Sequence, residues 1–195
     1  ANDWLLVPNL RAGDIRQGAS ETELRKVFGT RNVRRVKIDL GEGYSENGLV
    51  IFRTDPMRKL EILTAFGGLA ETVRLRGQKS VWKFENGVSL GTTLKQLEVL
   101  NGGPFELSGW GWDYSGAVLG WKGGRLVKLL PKEDGNQKVW MQLDATNSRW
   151  RILTAAETEP LVGDKIHQSS EPALQKLNPA VTSISVQIAE ITAQR

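Results

Sequence analysis

Apolar residues recur in two rhythms along the chain, and the rhythm changes twice at the same kind of place. Leu24, Val27 and Phe28 stand at the spacing of one helical face. Ser20 and Glu23 precede them in the S-x-x-E arrangement, in which side chains and backbone cap each other at a helix start. Leu97 and Leu100 repeat that stripe behind Thr93 and Gln96, the T-x-x-Q version of the same box. Gly29 and Gly102 follow, where a left-handed residue closes a helix. Ile15 to Leu24 aligns with Val88 to Leu97 at a constant offset of 73 residues, and Gly29 with Gly102 continues it. A tandem repeat is therefore expected. A fainter third copy runs from Gly163-Asp164 through Ser170-Glu171 and Leu174 to Lys176 at an offset of 150, and reads equally as a decayed repeat or as one more capped helix.

After each helix the period shortens to two. Val36, Ile38 and Leu40 alternate with Arg35, Lys37 and Asp39, the pattern of a strand with one wet face. Strand-like runs follow at 49–52, 60–63, 73–75 and 81–84, then at 105–107, 117–121, 126–130 and 139–143. Turn residues lie between them at Gly41-Glu42-Gly43, Glu46-Asn47-Gly48, Lys122-Gly123-Gly124 and Asp134-Gly135-Asn136. Connections this short imply antiparallel pairing, since parallel strands need long crossovers. Pro160 to Ser169 reads as a linker or loop, Glu171 to Leu177 as a short helix stopped by Asn178-Pro179, and Ile184, Val186 and Ile188 as a last strand completing a sheet. The expected fold is α+β: two tandem repeats of a short capped helix packed on an antiparallel sheet, at 1–86 and 87–159, with a C-terminal loop, helix and strand at 160–195.

Composition narrows the chemistry. The 195 residues include no cysteine and one histidine, which excludes disulfides, thiol nucleophiles and multi-histidine metal sites within one chain. No cofactor or metal is expected, and no zinc-protease, nucleophile-elbow or phosphate-loop motif occurs. The glycine pairs Gly41-x-Gly43 and Gly109-x-Gly111 lack a following helix, so they read as turns or close backbone packing. His167 has Asp164, Ser169 and Ser170 nearby, the residue types of a hydrolytic triad, but sequence neighbours on a loop rarely form that geometry. A paired-carboxylate site is nominated by no local motif. The net charge of +4 is concentrated early, in Arg11, Arg16, Arg25, Lys26, Arg31, Arg34, Arg35 and Lys37 against Asp14, Glu21, Glu23 and Asp39. A solvated helix face and strand explain that cluster better than an anionic polymer does, and nucleic acid is not an expected partner. No apolar run is long enough to span a membrane as a helix. The opening Ala1-Asn2-Asp3 looks like the end left by signal peptidase, the alternative being an artificially trimmed start; a periplasmic or secreted location is the expectation.

The segments Gly91-Thr92-Thr93-Leu94-Lys95-Gln96-Leu97-Glu98, Leu100-Asn101-Gly102-Gly103-Pro104-Phe105 and Gly109-Trp110-Gly111-Trp112-Asp113-Tyr114-Ser115-Gly116 resemble a family of uncharacterised exported bacterial proteins with no assigned activity. The resemblance runs from about Gly13 to Ile188. At fold level the duplicated unit is also similar to the tandem domains of β-lactamase inhibitory protein and to small envelope lipoproteins of the outer-membrane assembly machinery. That likeness rests on repeat length and element order, and implies a non-enzymatic protein that binds others through a sheet face or edge.

The tryptophans bear on where such a face lies. There are seven, and Trp82, Trp110, Trp112 and Trp121 fall close together. Trp82 with Phe84, and Trp140 with Gln142, read as structural. Strand alternation from Phe105 puts Phe105 and Leu107 on the core side, and Glu106, Ser108, Trp110, Trp112 and Tyr114 on the outer side. A bulge at Gly109 or Gly111 would instead bury the tryptophans. The expected binding residues are Glu106, Trp110, Trp112, Asp113, Tyr114 and Trp121. The first functional expectation is a non-catalytic exported module that binds an envelope protein; the alternative is a carbohydrate- or wall-glycan-binding protein using exposed tryptophans.

Overall fold

The computed structural model describes residues 3–65, 68–112, 114–129 and 139–188. Three two-residue strands open the chain, β1 (Leu6–Val7), β2 (Arg11–Ala12) and β3 (Ile15–Arg16), and form a small sheet of their own. Helix α1 (Glu21–Phe28) follows, then the meander β4 (Val33–Gly41), β5 (Tyr44–Ile51), β6 (Leu60–Thr64) and β7 (Ala70–Arg76). Helix α2 (Leu94–Asn101) leads into β8 (Glu106–Ser108), β9 (Val118–Gly120), a 3-10 turn over Arg125–Leu129 and β10 (Val139–Asp144). The remainder holds α3 (Asn147–Trp150), α4 (Ala155–Thr158), a 3-10 turn over Glu159–Leu161, β11 (Ile166–Gln168), α5 (Pro172–Leu177) and β12 (Ala180–Gln187). The class is α+β.

Both capping boxes form. Ser20 accepts from the backbone N–H of Glu23, whose carboxylate accepts from the Ser20 backbone, and Thr93 and Gln96 do the same for α2. Gly29 and Gly102 close the helices with positive φ. Ser20→Ala and Thr93→Ala should each cost about 1 kcal/mol in urea unfolding. A loss at one position alone would mean that the two caps differ in weight. The third copy is built differently: α5 starts at Glu171 without a side-chain cap and ends on left-handed Asn178.

The strands after the two helices are not alike. Behind α1, four strands form a continuous meander; behind α2, β8 pairs with β9 on one side and β11 on the other in a separate three-stranded sheet. The main sheet has the order β10-β12-β7-β6-β5-β4, antiparallel throughout, and so draws strands from all three stretches of the chain. The last strand sits inside it, between β7 and β10. Its alternation explains the place: Ile184 and Val186 are buried on one face while Ser183, Ser185 and Gln187 look to the other, and a register shift past Thr182 accounts for the burial of Val181.

The inner face is apolar across strands. Val139, Val186, Val73, Ile62 and Leu49 form one row by register, and Ile184 pairs with Leu75 in the next. Leu24 of α1, Leu94 and Leu97 of α2, and Leu174 and Leu177 of α5 join the same buried cluster with Trp82, Phe84 and Phe105.

Several expected elements are corrected. The run 81–84 is no strand: Lys83 makes single bridges to Leu5 and Ser89, while Trp82 and Phe84 plug the core. The run 126–130 is a 3-10 turn as far as Leu129, because Leu126 and Leu129, three apart, share one face when each turn takes three residues. Glu46-Asn47-Gly48 is not a turn but the middle of β5. A Cβ on Gly48 would lie 2.4 Å from Ile38 Cδ1 and 2.6 Å from the Ile62 carbonyl, so this glycine serves strand packing. The supposed linker 160–169 contains β11, paired to β8. Val27 of the α1 stripe is exposed. The turn at Asp134-Gly135-Asn136 lies outside the described residues.

Candidate ligand groove on the outer sheet face

The aromatic segment after β8 divides where its glycines sit. Gly109 lies so close to the chain opposite that a Cβ would meet the Gly163 and Leu161 carbonyl oxygens at 2.5 and 2.7 Å. Gly111 turns with φ 96°, and Gly116 N–H donates to the Gly109 carbonyl at 3.1 Å, closing 109–116 into a loop. The uninterrupted outer-face alternation is therefore corrected, because these backbone requirements end the strand at Ser108. Ser108 is buried, its hydroxyl donating to the Tyr114 carbonyl.

Each expected residue can then be placed. Trp110 is core, 5% exposed, its indole N–H donating to the Leu143 carbonyl at 3.1 Å and its ring edge-on to Trp150. Trp121, at 1%, packs on Phe105 with ring centroids 5.0 Å apart. Neither presents a surface, which corrects their assignment as binding residues. Phe105 and Leu107 face the core as the alternation requires. Glu106 belongs to the small sheet, where its carboxylate accepts from Gln168 Nε2 at 3.0 Å and Lys122 Nζ at 3.1 Å; those two bonds, Gln168 foremost, hold its pKa below the usual range. Asp113 lies outside the described residues. Trp112 and Tyr114 remain, 42% and 55% exposed and edge-on to each other at 6.0 Å.

Their neighbour is Trp140, whose structural reading needs amending. Its ring is edge-on to Tyr114 at 5.6 Å, and it is only half-buried, on the outer face of β10. By register the outer row runs Trp140, Ser185, Arg74, Glu61, Val50, Arg34, and beside it Gln142 pairs with Ser183 and Ser183 with Arg76. These outer-face residues were missed because β12 inserts between strands distant in sequence, which no local pattern announces.

The opposite wall comes from the β4–β5 hairpin. Flat, β4 would lie three inter-strand steps of about 4.8 Å from β7. Yet Arg74 Nη2 donates to the Asp39 carbonyl at 2.7 Å and Arg76 Nη2 donates to the same oxygen at 2.9 Å. The hairpin therefore curls over the outer face, aided by a register shift between Asp39 and Gly41 and by positive φ at Gly41, Glu42 and Gly43. The result is a groove of about 690 Å³. Leu40, Glu42, Tyr44 and Glu46 form the hairpin wall, Tyr114 and Trp140 the other, and Arg74, Arg76, Ser183 and Ser185 lie between. Tyr44 is 70% exposed.

The other candidate chemistry is placed elsewhere. His167 is buried on β11, Nδ1 at 3.0 Å from a Glu171 carboxylate oxygen and Nε2 without a partner among the described residues. Ser169 is committed otherwise: its hydroxyl donates to Glu98 at 2.5 Å and accepts from Phe105 N–H. An orienting carboxylate is present, but among the described residues no nucleophile meets the imidazole. Of the early basic residues, Arg25 and Arg35 share Glu21 at 2.7 and 2.6 Å, Arg11 pairs with Asp3, and Arg16, Lys26, Arg31, Arg34 and Lys37 are exposed. Among the described residues no cluster of three acidic, histidine or cysteine side chains could hold a metal, and no helix is long and apolar enough to cross a membrane.

Comparison with known proteins returns no matching family model, curated protein or solved structure.

Proposed function

We propose that the chain is a non-catalytic, exported bacterial module that binds another protein in the groove on its outer sheet face. The observation that carries this reading is the set of side chains lining it: exposed Tyr44 and Tyr114 and half-buried Trp140 beside Arg76, Ser183 and Ser185, with exposed Trp112 against Tyr114 at its margin. Tyr, Trp and Arg dominate the energetics of protein interfaces, and Tyr with Ser is the composition of adaptable paratopes. The ring geometry favours a protein over a sugar. Trp112, Tyr114 and Trp140 meet edge to face at 83° and 67°, so they do not form the coplanar platform on which successive sugar rings stack. The matched capping boxes at Ser20 and Thr93 support reading the two helix starts as copies of one unit whose following strands diverged.

Site-specific photo-crosslinking in a bacterium carrying the protein tests the reading. A crosslinker at Tyr44 or Tyr114 should give one discrete protease-sensitive adduct. The same group at exposed Val99 on α2 or Ile166 on β11 should give none. A protease-resistant adduct released by wall hydrolases would favour the glycan reading, and adducts from Val99 or Ile166 alone would move the binding face elsewhere.

A further inference from the structure

Two arginines share the floor of the groove, and their surroundings differ. Arg74 is buried, and its Nε donates to Glu61 at 2.9 Å, so its charge is matched within the fold. Arg76 is exposed and has no carboxylate partner among the described residues; its one bond is Nη2 to the Asp39 carbonyl, the oxygen that Arg74 also uses. Two guanidinium groups thus converge on one neutral acceptor with a single carboxylate between them. The crowding is felt at Arg74, whose pKa is pushed down by burial first and by the Arg76 charge second, although a guanidinium stays cationic at neutral pH. Ser183 is the direct cross-strand neighbour of Arg76 on the same face, and its hydroxyl has no partner among the described residues. Glu42 and Glu46 line the hairpin side of the groove, and neither forms an ion pair with either arginine. With no carboxylate paired to it among the described residues, the Arg76 guanidinium keeps donors free for an incoming anion beside Ser183.

We propose that the partner inserts a protruding loop into this groove and seats an Asp or Glu side chain on Arg76 and Ser183, between the rings of Tyr114 and Trp140 on one side and Tyr44 on the other. The inference rests on the protein-binding reading of the groove and names the chemistry that it selects. The carboxylate accepts from the guanidinium N–H groups that Asp39 leaves unused and from the Ser183 hydroxyl. It supplies the negative charge that the floor lacks, as a planar guanidinium is suited to accept. The aromatic walls exclude water from the pair and so strengthen it.

A library of randomised loops displayed on a small rigid scaffold, selected on the full chain, provides the probe. Enriched loops should carry an Asp or Glu at one common position. Arg76→Glu should weaken them about 10- to 100-fold, the range for removing a charged hydrogen bond. Replacing the loop's acidic residue with Arg should restore binding to Arg76→Glu while weakening binding to the unaltered chain. Arg76→Glu should keep its thermal midpoint, since Arg76 holds only one backbone oxygen at the surface. Loops that need Tyr114 but carry no common acidic residue would overturn the carboxylate and leave the groove standing. Loops indifferent to both Tyr114→Ala and Arg76→Glu would overturn the carboxylate and the groove together.

Discussion

Trp110→Ala is expected to lower the unfolding free energy by about 3–5 kcal/mol, the cost of emptying a large aromatic site in a core. Trp112→Ala, two residues on, should cost less than about 1 kcal/mol. The contrast follows from the loop that Gly109 and Gly116 close. Trp110 is buried with its indole N–H on the Leu143 carbonyl, and its removal also leaves that acceptor without its donor. Trp112 meets Tyr114 edge-on and keeps 42% of its surface in water. Trp112→Ala should instead reduce partner binding with the fold intact. Chemical denaturation of the two variants, with equal m-values confirming a common unfolded state, checks the pair. Equal losses would mean that the two side chains share one environment.

Gly116→Ala should be comparably severe. At φ 63° a Cβ would stand 2.0 Å from the Leu143 carbonyl oxygen and 3.0 Å from the Trp110 indole nitrogen. Neither neighbour can yield cheaply, because Leu143 N–H donates back to the Gly116 carbonyl at 2.9 Å and ties the loop to β10. The left-handed penalty and the backbone clash together amount to about 2–5 kcal/mol. Gly123→Ala is the control: its φ is also positive, at 74°, but a Cβ there meets nothing within 4 Å. It should lose only the conformational part, about 1–2 kcal/mol. Thermal melts of the two variants separate contact from conformation. Identical midpoints would contradict the close approach at Leu143.

What could be read from the chain was local. Capping boxes, closing glycines and the alternation of Ile184, Val186 and Ile188 are set by neighbours a few residues apart, and each is found where those neighbours place it. The readings that failed depend on distant partners. Asn47-Gly48 has the composition of a turn, but pairing with Val36 and Lys37 and the close approach of Ile38 hold it extended. Trp110 and Trp112 are indistinguishable by alternation; what separates them is the need of Gly109 to fit against the Leu161 and Gly163 carbonyls, more than fifty residues away. The groove was the least legible feature. Its floor comes from β7 and β12, one wall from a hairpin curled over the sheet, and the other from Tyr114 and Trp140, so no contiguous motif contains it.

The outer groove as the binding face is tested most directly by an alanine footprint against the crosslinked partner, with affinity and thermal midpoint measured on every variant. Tyr44→Ala, Arg76→Ala, Tyr114→Ala and Trp140→Ala should each weaken binding by about tenfold or more, the effect of truncating an interface anchor. Val99→Ala and Ile166→Ala, exposed on α2 and β11, should bind as the unaltered chain does. Full affinity in all four groove variants, or a loss at Val99 or Ile166 instead, would contradict the assignment.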